Sequence, residues 1–305
     1  MRELVLAQSA RFAALDPLLP EPAEPPEGEW LTATLPDGHR VAGVLYRARH
    51  APGSPASLWA ATASWELTPL LGDTGGAGMA ALLGALRRRL DRERVGQDSA
   101  CAVTWPSRDA EVTSVLLNHG LVPLNALGVR SRPPPALAGA GHPEVVIRPA
   151  RAADEEEVAA LRMAELQYSA LVGPNTVRAD AAQVLAAEVR AQLRRGDPAW
   201  LAESAGLAVG LVGCGWGSPD GEQRIRLRPG RWGQLRTLSV LPAARGAGIG
   251  RALTAVAHDA LRAGGAGGTF LFYSPANPLS SVFWHRQGYR PLWTFWEVRP
   301  ASALR

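Results

Sequence analysis

The period of the apolar positions changes several times along the second half of the chain, and each change marks an element. Val145–Arg148 is a short apolar run and reads as a strand. Asp154 caps a helix running to about Leu166, with Glu155, Glu156 and Glu157 in its first turn, where the helix dipole favours acids. A second helix spans about Asp180 to Arg195 and stops at Gly196-Asp-Pro198. Ala199–Glu203 and Ala208–Trp216 form a hairpin around Ala205-Gly206. Then come a strand at Gly233–Leu241, a helix at Gly248–Ala263, a strand at Thr269–Tyr273, a helix at Pro278–Gln287 and a strand at Leu292–Val298.

The first half repeats the end of this order. Strands are expected at Trp30–Leu35, Val41–Arg47 and Ser57–Ser64, after an irregular lead-in, Pro17 to Gly28. A helix at about Gly78–Arg92 follows Gly75-Gly-Ala-Gly78; then come a strand at Ala100–Trp105, a helix at Asp109–His119 and a strand at Asn125–Arg130. Aligned without gaps, Gly120 falls on Gly288, Pro123 on Pro291, Leu124 on Leu292 and Asp109 on Asn277, which suggests an internal duplication. The Pro/Gly/Ala-rich stretch Ser131–Pro143 contains three consecutive prolines, which neither a helix nor a central strand accommodates. The expected division is therefore residues 1–132, a linker at 133–144, and 145–305.

Composition narrows the chemistry. The 305 residues exceed one ordinary domain, no apolar run is long enough to span a bilayer, and the N-terminus lacks the layout of a signal peptide, so a cytoplasmic protein without a membrane partner is expected. The two cysteines, Cys101 and Cys214, sit far apart in apolar contexts and offer no metal-ligand spacing. There is no lysine; all 32 basic residues are arginine, which removes Schiff-base and P-loop chemistry. The net charge of +4 and pI near 9.6 suit an anionic ligand. Arg87, Arg88, Arg89, Arg92 and Arg94 have no interleaved aromatics and read as a solvated helix face rather than a nucleic-acid contact.

The strongest motif is Thr237-Leu-Ser-Val-Leu-Pro-Ala-Ala-Arg-Gly-Ala-Gly-Ile-Gly-Arg-Ala-Leu253, a strand, a glycine-rich loop and a helix. The first amides of a helix have no intrahelical partner and lie at the positive end of its dipole. Gly246, Gly248 and Gly250 let that backbone approach a phosphate closely. A dinucleotide-binding fingerprint does not fit, because Arg251 stands where its last glycine is needed.

Arg245-Gly-Ala-Gly-Ile-Gly250, preceded by Leu238-Ser-Val-Leu-Pro242, resembles the (Gln/Arg)-x-x-Gly-x-(Gly/Ala) motif of the GNAT N-acetyltransferase superfamily. Asn277-Pro-Leu-Ser-Ser-Val-Phe-Trp-His-Arg-Gln-Gly-Tyr289 resembles the later motif of that family. The resemblance covers about Val145 to Val298. It implies two tandem domains of mixed α/β (α+β) type, each with a mostly antiparallel central sheet flanked by helices. The N-terminal one is read as a degenerate copy without acyl-CoA, because Gly75 stands at the arginine position and Asp109 at that of Asn277. The implied reaction is direct transfer of acetyl from acetyl-CoA to a primary amine of a small molecule or peptide, by a monomer or homodimer. The implied donor-binding residues are Leu238, Ser239, Val240, Arg245, Gly246, Ala247, Gly248, Ile249, Gly250, Arg251 and Asn277, with the Val240 amide as oxyanion donor.

Two departures bear on catalysis. Gln234 and Arg236 stand where relatives carry a basic carboxylate, and Trp284 where they carry an acidic tyrosine. Tyr273 is a substitute acid. Glu203 is a substitute base through water, as is Glu165, whereas His285 is expected to point away from the Trp284 position. The alternative function is a non-catalytic acyl-CoA-binding regulator. Trp284, Trp293 and Trp296 read first as core.

Overall fold

The computed structural model describes residues 2–22, 26–131, 145–173, 175–217 and 223–305; the expected linker at 133–144 lies outside them. The first half supplies α1 (Arg2–Leu15), β1 (Glu29–Thr34), β2 (Arg40–Arg49), β3 (Ala63–Leu70), α2 (Gly75–Leu90), β4 (Ser99–Pro106), α3 (Ala110–Asn118) and β5 (Val122–Arg130). The second supplies β6 (Val145–Pro149), α4 (Glu155–Val172), α5 (Ala181–Arg194), β7 (Ala199–Ser204), β8 (Leu207–Trp216), α6 (Gln223–Arg226), β9 (Trp232–Val240), α7 (Ile249–Ala263), β10 (Gly268–Tyr273), α8 (Pro278–Arg286) and β11 (Arg290–Val298).

All these strands join one sheet of eleven, in the order β1-β2-β3-β4-β11-β5-β10-β9-β8-β7-β6. Only β3–β4 and β9–β10 pair in parallel. The class is the mixed, mostly antiparallel one expected, but the two halves share a single sheet and exchange their last strands. β11 lies against β4 of the first half, and β5 lies against β10 of the second.

The register of β5 and β11 carries a local two-fold relation. A shift of 168 residues carries Gly120 onto Gly288, and the same shift carries the pair Arg290↔Val129 onto Glu297↔Val122 and Pro291↔Gly128 onto Trp296↔Pro123. Ala126↔Thr294 maps onto itself and marks a local two-fold axis between β5 and β11. The pairs Tyr273↔Ala126 and Thr294↔Trp105 are related in the same way.

Alternation along β8 and β9 places helices on both faces of the second half. Val212 and Leu235 pack with Ile249, Leu253, Ala257 and Leu261 of α7. Leu211 and Leu201 pack with Val158 and Leu161 of α4 and Val189 of α5 on the other face. In the first half, α2 buries Met79, Leu82, Leu83 and Leu86 against β1 and β2.

Three elements differ from expectation. The strand expected at Ser57–Ser64 starts at Ala63, because Pro55–Leu58 forms a 3-10 turn whose Leu58 is buried against Leu166, Ala181 and Leu185. Helix α4 continues past Leu166 to Val172. Helix α1 was not expected: Leu4, Val5, Leu6 and Ala7 are consecutive, so no apolar stripe marks it. Among the described residues no helix is long and apolar enough to cross a membrane, and no group of His, Cys, Asp and Glu side chains could hold a metal ion. Cys101 and Cys214 are buried free thiols.

Candidate functional site: a splayed strand pair and a glycine loop

β9 and β10 pair only from Gly268↔Trp232 to Phe270↔Gln234. Beyond that point β10 follows β5 and β9 follows β8, so a cleft opens between Leu235–Val240 and Leu271–Tyr273. A one-residue bulge at Arg236, between Thr237↔Gly213 and Leu235↔Cys214, helps to turn β9 away. After the bulge Leu238 and Val240 pack on the α7 side, whereas Thr237 faces α4.

The ladder decides which amides line the cleft. Leu241 N–H donates to Val209 O at 2.9 Å, so residues 241 and 239 exchange bonds with β8. The intervening Leu238 and Val240 direct their N–H and C=O groups the other way, into the cleft. Ser239 is the exception among the expected donor residues, because its backbone belongs to the β8 ladder. The Val240 carbonyl is taken by Arg245 Nε at 3.0 Å.

The loop from Leu241 to Gly248 closes the end of the cleft. Gly246 and Gly248 have φ of +88° and +80°, a region that side chains avoid, and Gly248 caps α7. A Cβ at Gly246 would meet nothing within 4 Å, and one at Gly248 only Arg251 Nη2 at 3.8 Å. The amides of Gly246, Ala247 and Gly248 have no acceptor among the described residues, and the exposed Arg251 stands beside them. Ile249 is buried and anchors the helix. Gly250 lies over Phe283 of α8, 3.5 Å from its would-be Cβ. The Arg245 guanidinium sits 4.9 Å from the Tyr168 ring of α4, so α4 forms the opposite lip. These open amides, cations and unpaired strand edge match what a diphosphate with an amide-bearing arm requires.

The catalytic candidates separate. Tyr273 is buried at the end of β10, and its hydroxyl lies 2.9 Å from His285 Nε2. Burial raises the phenol to about 12. This corrects the expectation for His285: the helix turns Trp284 into the core, against Phe283 and Tyr289, and thereby turns His285 toward Tyr273. Asn277 caps α8, its Oδ1 accepting from Leu279 and Ser280 at 3.1 Å, which leaves Nδ2 as its remaining donor. Glu203 does not line the cleft. It sits on β7, two strands from β9, bound by Arg148 at 2.7 Å, and Arg148 also holds Asp154. Arg236 pairs with Asp197 at 3.1 Å. Glu165 is the carboxylate that reaches β9, where it accepts from the Thr237 hydroxyl.

The first half has the corresponding cleft, and it is filled. β3 and β4 pair only as far as Leu67↔Val103. In the gap beyond, Gln8 Nε2 donates to Pro69 O at 3.1 Å and Gln8 Oε1 accepts from Leu71 N–H at 2.8 Å. Allowing one residue for the bulge in β9, Pro69 and Leu71 correspond to Leu238 and Val240. Phe12 packs edge-on against Trp105 and Trp293, at 5.4 and 5.5 Å. Arg11 forks onto Asp109 at 2.8 and 2.9 Å and reaches Glu111 at 3.1 Å. A Cβ at Gly75 would strike the Glu111 carboxylate at 2.4 Å. The helix begins at Gly75, not Gly78, and only residues 71–74 connect it to β3, against 241–248 in the second half. Nothing in the hydropathy of residues 2–15 signals these contacts; the glutamine, arginine and phenylalanine at 8, 11 and 12 are the only trace.

Residues 195–291 match the model of the "Acetyltransferase (GNAT) domain" family. No curated protein matches the chain. Among solved structures, a GCN5-related N-acetyltransferase from Sphaerobacter thermophilus superposes with a TM-score of 0.55 at 16% identity, over 89% of this chain and 81% of that one. A tandem GNAT protein from the clavulanic acid biosynthesis pathway gives 0.48 at 15% identity, over 90% of this chain and 84% of that one. An aminoglycoside N-acetyltransferase solved in complex with CoA gives 0.39 at 18% identity, over 48% of this chain and 89% of that one. The glycine loop and the splayed strands thus lie within the residues that match the GNAT acetyltransferase domain, and the fold of the chain is similar to that of a GCN5-related N-acetyltransferase.

Proposed function

We propose that the chain is an N-acetyltransferase that passes an acetyl group from acetyl-CoA directly to a primary amine in the β9–β10 cleft. The carrying observation is the contrast between two equivalent clefts. In the first half a side-chain carboxamide, that of Gln8, occupies the paired acceptor and donor at Pro69 and Leu71. In the second half the equivalent groups of Leu238 and Val240 point away from the β8 ladder, on the side where β9 has parted from β10. An amide of the pantetheine arm suits these groups as Gln8 suits theirs.

The amides of Gly246, Ala247, Gly248, Ile249 and Gly250, with Arg245 and Arg251, hold the diphosphate. Leu238 and Val240 hold the arm, and one of their amides, Val240 in the reading from sequence, stabilises the oxyanion. Asn277 offers Nδ2. Tyr273 gives a proton to the leaving sulfur. The donor supplies an activated thioester carbonyl. The first half, residues 1–132, takes no acyl-CoA, because α1 fills its cleft and its loop is too short; residues 145–305 carry the donor site.

Titration calorimetry tests the division: one CoA per chain is expected, and two would overturn it. Thiol release with a panel of primary amines (polyamines, aminoglycosides, arylalkylamines and amino-acid amides) tests the reaction. Gly248→Trp fills the loop and should abolish both binding and release. A second reading, a CoA-binding regulator, is favoured by the missing carboxylate at Gln234 and Arg236. Tight CoA binding without thiol release on any amine would establish it instead.

A further inference from the structure

On the face of β9 away from α7, helix α4 runs from Glu165 to Tyr168 and on to its end. Glu165 accepts a hydrogen bond from Thr237, the residue between the Arg236 bulge and the cleft-facing Leu238. Its side chain keeps 26% exposure, so it is shielded but reachable. One turn further, Tyr168 lies under Arg245 of the glycine loop. The α4 wall thus spans the cleft from the loop to the deep end of β9, and Glu165 is the carboxylate on it that reaches this strand.

The charged surroundings of Glu165 are few. Arg162 lies on the same helix, its Nε 4.0 Å from the Glu165 carboxylate, and Glu188 of α5 faces Arg162 at 3.5 Å. β8 and β9 contribute uncharged neighbours, Gly213 against Thr237, with Gln192 of α5 beside them. Arg162 Nε and Glu188 Oε2 are buried without a hydrogen-bond partner.

We propose that Glu165 is the catalytic base that takes the proton of the acceptor ammonium. The proposal rests on the acetyl-transfer reading above. Glu165 takes one proton from R–NH3+, leaving R–NH2. The nitrogen bonds to the thioester carbonyl carbon and the C–S bond breaks. The second proton that nitrogen sheds goes to the sulfur through Tyr273, and the proton on Glu165 is released to solvent. Burial raises the Glu165 carboxyl above the ordinary range, with Arg162 and the Thr237 bond opposing, which makes it a stronger base than a solvated glutamate.

Glu165→Gln tests this. Relative to wild type, kcat/KM for the amine should fall about 100-fold near neutrality. The loss should shrink as pH approaches the pKa of the amine, where free base forms unaided, and calorimetric CoA affinity should be unchanged. Thr237→Val, which removes the bond favouring the charged form, should move the acid limb of the wild-type profile to higher pH. Carbon-13 NMR of labelled glutamate carboxyls in the unliganded protein gives a readout without turnover: one resonance titrating above the ordinary range should be missing in Glu165→Gln. Activity within about twofold at every pH, an unchanged carboxyl titration, or lost CoA affinity in the variant would each overturn the assignment. Absence of thiol release by wild type would instead strike the acetyl-transfer reading, and this proposal with it.

Discussion

Tyr273 Oη and His285 Nε2 stand 2.9 Å apart, which joins a buried phenol at the end of β10 to an exposed imidazole on α8. Because burial holds the phenol near 12, it keeps its proton at neutral pH and can give it to a departing thiolate. The ring lies against Gly128 of β5, where a Cβ would come within 3.1 Å of Tyr273 Cε1. A strand of the first half therefore shapes the site of the second. Tyr273→Phe keeps the ring and removes only the proton. The expected outcome is a fall in kcat of about 100-fold with unchanged CoA affinity. A kcat within twofold of wild type would remove Tyr273 from the chemistry.

The plug in the first half has its own signature in stability. Asp109 is 1% exposed and is held by Arg11, by Trp105 Nε1 at 3.0 Å and by the Val112 amide at 3.3 Å. Burial alone would raise its carboxyl, but the bonds from Arg11 and Trp105 outweigh it and hold the group below the usual range. Arg11→Ala leaves that carboxylate buried without its cation. The expected cost is about 3 kcal/mol, the magnitude for breaking a buried pair from one side. Urea unfolding measures it. A loss below about 1 kcal/mol would mean that α1 only rests on the cleft.

What was legible in the sequence follows from where the information is local. The glycine loop, its strand and its helix could be read because a helix N-terminus with small residues is a local device, and Gly246 and Gly248 do adopt left-handed conformations. The alignment of Gly120 on Gly288 suggested a repeat, and the same shift of 168 residues relates the pairs along β5 and β11; that these two strands pair with each other was not read. The exchange of those strands could not be read, because Val122–Arg130 and Arg290–Val298 have the same apolar character whichever β4 or β10 they pair with. The role of α1 escaped for a related reason: Gln8, Arg11 and Phe12 find partners roughly 60 to 280 residues away, and its pattern has no stripe. At the site, helical geometry separates His285 from Trp284. Which of the two faces Tyr273 is set by the burial of Trp284, a tertiary fact.

The exchanged strands make each half depend on the other. Residues 145–305 alone would leave the β10 edge bare from Thr269 to Tyr273, where Arg130 to Ala126 normally pair, and β11 would lose β4 and β5 together. Unpaired buried edges cost free energy and invite association. The fragment should therefore lack a cooperative thermal transition, while the full chain shows a single one by calorimetry and circular dichroism. Two separate transitions in the full chain, or a fragment that melts cooperatively as a monomer, would contradict this interdependence.

A buried imidazole where the halves meet sets an acid limit on the fold. Arg130, from β5, donates to His258 Nδ1 at 3.0 Å. A guanidinium can only donate, so Nδ1 accepts and the proton resides on Nε2, which donates to Tyr289 Oη at 2.7 Å; Tyr289 in turn meets Thr269 at 2.8 Å. Burial, and then the Arg130 charge, lower His258 from 6.5 to about 4. The unfolded chain thus binds the proton that the folded one refuses. The stability from neutral His258 is complete above pH 6.5 and is lost as pH falls toward 4, to a total of about 3 kcal/mol. Glu165 and Glu297, whose carboxyls are raised by burial, act with the opposite sign, but equally in a variant. His258→Gln keeps an acceptor for Arg130 and a donor for Tyr289 without the titration. Between pH 7.5 and 4.5, urea-derived stability of wild type should fall more steeply than that of His258→Gln, by about 2–3 kcal/mol. Parallel curves would show that His258 becomes protonated within the fold, and that Arg130 moves aside to allow it.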